Sequence, residues 1–167
     1  MIISVSYLIN AILDFVILGA LEIDRDFNVN VTTGSDGVLR GAPGGHPDTA
    51  AGSKCSIIVA PLIRSRIPTV VDRVVNVTTP GEAVDVLVTD YGIAVNPRRQ
   101  DLIEYLKKAN LPVVAIQELI AIAKSIVGSP EPIKFEEDIV GIIEGRDGTI
   151  MDVVRRVKPQ TTIHEVF

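Results

Sequence analysis

Tryptophan is absent from the 167 residues, and aromatic side chains make up only 4% of them. A core filled by large rings is therefore excluded. The apolar content, 47% of residues, comes mostly from Val, Ile, Leu and Ala, the composition of strands buried on both faces beneath helices. Cysteine occurs once, at Cys55. That excludes an internal disulfide framework and a zinc site built on cysteines; the apolar run "CSIIVAP" places this thiol in the core, and the usage suits a reducing cytoplasm. Positive charge is not in excess. The formal net charge of −5 at pH 7 offers no electrostatic basis for binding nucleic acid. A long uninterrupted hydrophobic run is also missing. A spanning helix needs about 20 nearly uncharged apolar residues, and Asn10, Asp14 and Gly19 interrupt the apolar stretch from Met1 to Leu21. That stretch has neither a basic n-region nor a small-residue cleavage site, so it does not read as a signal peptide. The expectation is a cytoplasmic chain with no membrane segment, carrying a short element over Ile2–Leu13 and a buried strand over Phe15–Leu18.

What is present fits one domain, 1–158, followed by a loosely held tail, 159–167. "DFVILGA", "CSIIVAP" and "AVDVLVTD" read as core strands, and "YGIAVNP" as a short strand stopped by Pro97. In "LEIDRDFNVNVTTG" the pattern sets Phe27, Val29 and Val31 on one face and Asn28 and Asn30 on the other. "GSDG" reads as a turn, and the β-branched "IPTVVDRVVNVTTPG" as extended structure near an edge. Two helices follow. One carries Leu102, Ile103 and Leu106 on a stripe; the other carries Ile116, Leu119, Ile120, Ala123 and Ile126 or Val127 and ends at Gly128. "SPEPIKFEED" is a loop, and "RDGT" between two β-branched runs signals a hairpin. These elements predict an α/β domain with an open mixed sheet and helices on its faces, the mixture arising because the final hairpin must be antiparallel.

Residues 34–54, "GSDGVLRGAPGGHPDTAAGSK", hold six glycines and two prolines. Gly44 and Gly45 lie between Pro43 and Pro47, which combines freedom at two positions with rigidity beside them. Such a loop can aim consecutive N–H groups at one point and form an anion-binding nest. If "TAAG" starts a helix, Asp48 or Thr49 can cap it and add partial positive charge there. That suits a carboxylate, a phosphate or the oxyanion of an acyl transfer; a plain connection remains the alternative. No Gly-Lys-Ser/Thr closes the loop and its glycines lack dinucleotide spacing, so neither phosphate-binding motif is present. His46 is either a ligand contact or a solvated or capping residue, and His164 in the tail is inert.

The run from "DFVILGALEID" through "GAPGGHPDTAAGSKCSIIVAPLIRSRIPTVVDRV", with "VDVLVTDYGIAVNPRR" and "RDGTIMDVVRRV", resembles the C-terminal part of the citrate lyase alpha chain. Beneath this lies a broader resemblance to family I CoA-transferases. The resemblance implies a NagB/RpiA/CoA-transferase-like fold. It also implies a citrate CoA-transferase activity, in which acetate is exchanged for citrate on the thiol of a CoA-like prosthetic group carried by an acyl carrier protein. That group is a substrate rather than a bound cofactor. The implied partners are the beta and acyl-carrier gamma subunits of citrate lyase, further copies of the chain, and the carboxylates citrate and acetate. The family's nucleophile is a glutamate that forms acyl anhydride and thioester intermediates. It is expected upstream of this chain, with Glu22 as the alternative within it. Gly41, Gly44 and Gly45 carry over as the oxyanion loop, with His46 beside them and Asn28 and Asn30 on the segment bordering the pocket.

On this reading the chain is inactive alone. Two alternatives stand beside it: a non-catalytic module that binds acyl carrier or CoA or assists complex assembly, and a sugar-phosphate-binding domain of the NagB/RpiA type. Arg98, Arg99, Arg64 and Arg66 are either solvated or in contact with the anionic carrier group. Asp85 lies inside an apolar strand and must find a partner, and Asp72 reads as a surface pair with Arg73.

Overall fold

A computed structural model of the chain describes residues 13–158, apart from 36 and 146. Its centre is β4 (Ser56–Val59) paired in parallel with β8 (Val86–Thr89). Outward from β4 lies β1 (Val16–Leu18), also parallel. Outward from β8 lie β9 (Gly92–Val95), antiparallel to it, and then β10 (Val113–Val114), parallel to β9. The sheet is mixed, as expected, but for a different reason: its antiparallel member is β9, turned back by the Asp90–Tyr91 hairpin. There Tyr91 N–H donates to the Thr89 hydroxyl (3.1 Å), which donates to the Gly92 carbonyl (2.9 Å).

The alternation of each strand divides its side chains between the two faces. Ile58, Leu87 and Ala94 share a buried cluster with Ile116, Leu119, Ile120 and Ala123 of α3 (Ile116–Val127). These are the residues of the predicted stripe except its last position, where Ile126 is half exposed; the other predicted helix is α2 (Gln100–Lys108). The opposite face is open at its β1 edge: Phe15 is 65% and Ile17 is 61% exposed. The expected buried strand at Phe15–Leu18 is therefore an edge strand with one uncovered face. The proposed element before it lies outside the described residues except for Leu13, which bridges to Ser53, and so does the tail. Cys55 also departs from expectation. It precedes β4 and is half-buried, with its thiol pKa raised by burial and by the Asp85 carboxylate.

A second sheet sets β2 (Glu22–Asp24) between antiparallel β3 (Val29–Asn30) and parallel β7 (Val70–Val71). The regular alternation expected through Phe27 is broken by a turn. The Asp24 carboxylate accepts the amides of Asp26 and Asn28, each at 3.0 Å, an Asx-type arrangement that competes with extended backbone. Phe27 takes φ 64°, its ring fully buried, and Asn30, placed by the pattern opposite Val29, is as buried as Val29. The β5 (Ile63–Arg64) and β6 (Ile67–Pro68) strands form a small hairpin. The last hairpin, β11 (Phe135–Glu144) with β12 (Ile150–Val157), is closed by Gly148 at φ 81° as the Asp-Gly signal predicts; its first strand reaches back to Phe135, into the segment expected as loop. Asp72 pairs with Arg25 (2.5 Å) and Lys124, not with Arg73, because α3 brings Lys124 over β7.

Gly81 is where the two sheets' connections meet. A Cβ there would stand 1.9 Å from the Asp26 carbonyl oxygen, and the Gly81 amide donates to Asn28 Oδ1 at 2.9 Å. The clash is with backbone and cannot be relieved by a rotamer change. Gly81→Ala is expected to cost about 3 kcal/mol, read as a lower urea midpoint at unchanged slope.

Candidate functional site

The loop from Gly41 to Gly45 is pinned at both ends, and between them its carbonyls at Pro43 and Gly45 accept bonds from His46 and Thr49. Before it, Arg40 N–H donates to the Thr32 carbonyl (2.8 Å). After it, His46 N–H donates to the Pro43 carbonyl (3.0 Å), closing a turn over the glycine pair. The amides of Gly41, Ala42, Gly44 and Gly45 donate to no atom among the described residues. Gly44 sits at φ 53°, a conformation glycine adopts without strain. Gly45 has ordinary φ and caps α1 (His46–Ala51). A Cβ on either would meet nothing within 4 Å, so the pair faces open space. The helix begins earlier than the sequence predicts: Asp48 and Thr49 lie inside it, and the Thr49 hydroxyl donates back to the Gly45 carbonyl (2.9 Å) instead of capping an amide. Pro47 in the first turn explains the early start, since its fixed φ suits that position and its missing N–H costs no bond there.

His46 bridges two internal groups. Its Nε2 lies 2.9 Å from the Gly19 carbonyl oxygen and its Nδ1 2.7 Å from the Thr79 hydroxyl. A carbonyl only accepts, so Nε2 carries the proton; Nδ1 then accepts from Thr79. Burial holds the His46 pKa below its ordinary value of 6.5, partly opposed by the Gly19 bond, which favours the charged ring. Neither Gly19 nor Thr79 carries a motif that the sequence alone would single out.

Glu22 and Asn30 are buried, and Asn28 is partly buried. Glu22 is 1% exposed. Its Oε2 accepts from Asn30 Nδ2 (3.0 Å) and from Val75 N–H (3.2 Å), and its Oε1 from the Ser35 hydroxyl. Asn30 also donates to the Thr33 carbonyl and accepts the Thr32 and Thr33 amides (2.9 and 3.1 Å). Asn28 links Asp24 to Gly81. Glu22 is thus a saturated structural carboxylate holding up the segment on which the loop rests. Arg98 and Arg99 converge on buried Asp85 at 3.5 and 3.0 Å, and Ser56 N–H completes that carboxylate at 2.8 Å. Together with Lys54 and Glu82 they line an open groove of about 530 Å³ beside α1. Arg64 donates to the Ala20 carbonyl at 2.8 Å. Among the described residues no His, Cys, Asp and Glu side chains cluster to hold a metal ion, and no helix is long and apolar enough to cross a membrane.

The class these features define is a mixed α/β domain that presents a glycine loop, amides unpaired, beside its main sheet. The chain belongs to the citrate lyase alpha subunit family, whose model (Citrate lyase, alpha subunit (CitF)) matches residues 8–157. It is 58% identical over 146 residues to the citrate lyase alpha chains of Klebsiella pneumoniae and of Escherichia coli (strain K12), covering 87% of this chain. The crystal structure of the alpha subunit of citrate lyase from Streptococcus mutans, in complex with citrate, superposes with a TM-score of 0.86 at 56% identity, covering 88% of this chain. The chain spans 29% of the length of each of these relatives.

Two measurements follow. Because folding lowers the His46 pKa, the unfolded chain binds the proton more tightly. Stability is therefore present above the ordinary histidine range and is lost as pH falls through it. Urea unfolding is expected to show lower stability at about pH 5.5 than at about pH 7.5, and His46→Gln to remove that difference. Glu22→Gln replaces three bonds to a carboxylate with weaker bonds to a neutral amide, and is expected to cost about 2 kcal/mol in the same assay.

Proposed function

We propose that this chain forms the part of a citrate lyase alpha subunit that carries the oxyanion loop of a citrate CoA-transferase. The reaction exchanges acetate for citrate on the CoA-like thiol of an acyl carrier protein. The observation that carries the reading is the set of free amides at Gly41, Ala42, Gly44 and Gly45 in a chain so similar to citrate lyase alpha chains. When a carboxylate attacks a thioester carbonyl, the carbonyl oxygen becomes an oxyanion, and N–H donors fixed beforehand stabilise that charge without reorganising. The same amides suit a carboxylate of citrate, the ligand held by the similar Streptococcus mutans protein.

The attacking carboxylate is assigned to a glutamate outside these residues. Glu22 supports that assignment, since both of its oxygens are occupied and it is 1% exposed. The wider assembly follows the same reading: a NagB/RpiA-like fold, a homo-oligomer in the cytoplasm, and association with the beta and acyl-carrier gamma subunits of citrate lyase.

Calorimetric titration with citrate tests the loop. Wild-type chain is expected to bind citrate, and Gly45→Val to weaken binding at least about tenfold while changing stability by no more than about 1 kcal/mol. Undiminished binding by that variant overturns the loop's role. The chain alone is expected to show no exchange of citrate for acetate on acetyl-CoA; turnover would overturn the placement of the attacking carboxylate elsewhere.

A further inference from the structure

We infer that His46 is a positioning residue for the glycine loop, and that the Thr79 hydroxyl is the group that locks it in place. Little packing holds the tip of the loop, where Gly44 and Gly45 are exposed. Gly44 and Gly45 have no neighbour within reach of a Cβ, and the local bonds of the loop are those its Pro43 carbonyl accepts from His46 N–H and its Gly45 carbonyl accepts from Thr49, both made at the His46 end. The direction of the free amides is therefore set by the two anchors, Arg40 on Thr32 and His46 at the other end. The His46 anchor is the more constrained. Its ring spans from Gly19, at the end of β1, to Thr79, on the connection beside β3. Thr79 is fully buried, and its own backbone is fixed by bonds in both directions with Val29, Val29 N–H to the Thr79 carbonyl (2.9 Å) and Thr79 N–H to the Val29 carbonyl (3.0 Å). Rigidity thus passes from the second sheet, through one hydroxyl and one imidazole, to the residue directly after Gly45. Pro47 stiffens the chain on the far side.

The Thr79 hydroxyl has a defined direction here. Gly19 fixes the ring proton on Nε2, so Thr79 must donate to Nδ1, and the imidazole is held in one tautomer and one orientation. Citrate binding enters this inference only through the proposed role of the loop; the ordering of the loop does not depend on it.

The test uses Thr79→Val, which removes the hydroxyl while keeping shape and backbone bonds, and Thr79→Ser, which restores it. Amide ¹⁵N relaxation of Gly41, Gly44 and Gly45 reads loop order, long-range ¹H–¹⁵N spectra read the His46 tautomer, and citrate titration reads binding. Expected are an Nε2-protonated ring in the wild type, lowered order parameters in Thr79→Val with about three- to tenfold weaker citrate binding, and recovery of both in Thr79→Ser. Unchanged order parameters in Thr79→Val overturn the inference, whatever citrate does. His46→Ala is the second variant and is expected to loosen the same amides; if they stay ordered in it, the inference falls as well. A loosened loop in Thr79→Val combined with undiminished citrate binding in Gly45→Val removes the proposed function and leaves the positioning role standing. Weakened binding in Gly45→Val with an ordered loop in Thr79→Val does the reverse.

Discussion

Two carboxylates, Glu22 and Asp24, are buried on β2 with no cation beside either among the described residues, and the rest of the arrangement depends on how they are satisfied. An unpaired charge in such a place costs more than a domain of this size can spare. Glu22 is therefore surrounded by the side chains of Asn30 and Ser35 and the amide of Val75, and Asp24 by the amides of Asp26, Asn28 and, at 3.4 Å, Val74. The bonds from Val74 and Val75 draw in a distant segment. The result ties residues 22–35 to residues 74–81 without a regular strand ladder, and it makes the irregular backbone around Phe27 stable.

The glycine loop rests on that scaffold. Thr32, held by its amide to Asn30, offers the carbonyl that anchors Arg40, and Thr79, held to Val29, offers the hydroxyl that anchors His46. On the proposed function, a loop that keeps N–H groups for a ligand cannot use them for its own order. It has to be ordered from its ends, and the buried polar network supplies the fixed points. This separates the roles of residues that look alike in sequence: Asn28, Asn30 and Glu22 are support, while Gly41, Gly44 and Gly45 are the exposed surface. Just before β8, and not inside the strand as its sequence suggested, Asp85 gathers Arg98, Arg99 and the Ser56 amide around one buried carboxylate beside a groove.

Much of this was legible from residue patterns. The strands at 56–59 and 86–89, the stripe of α3 and the Asp-Gly hairpin follow from periodicity and turn chemistry, which act over a few neighbouring residues. The unusual concentration of glycine between Pro43 and Pro47 was legible as a loop with spare amides. The errors share one cause, which is that local pattern carries no information about what lies alongside. Phe15 and Ile17 have the sequence of a core strand and occupy an edge. Asp72 has an arginine next to it and pairs instead with Arg25 and Lys124. Phe27 continues an alternation that the Asp24 side chain interrupts. The β10 strand of Val113–Val114 is too short to announce itself and exists because β9 offers it an edge.

The sequence by itself determined the element types, the α/β class and the position of a glycine-rich loop, because these depend on dihedral preferences and hydrophobic spacing written in consecutive residues. Only the tertiary structure decided that Glu22 is sealed away, that His46 spends both ring nitrogens on Gly19 and Thr79, and that the loop's amides stay free. Those outcomes depend on which groups compete for the same hydrogen bonds in a space that water has left, and that competition is settled between residues tens of positions apart.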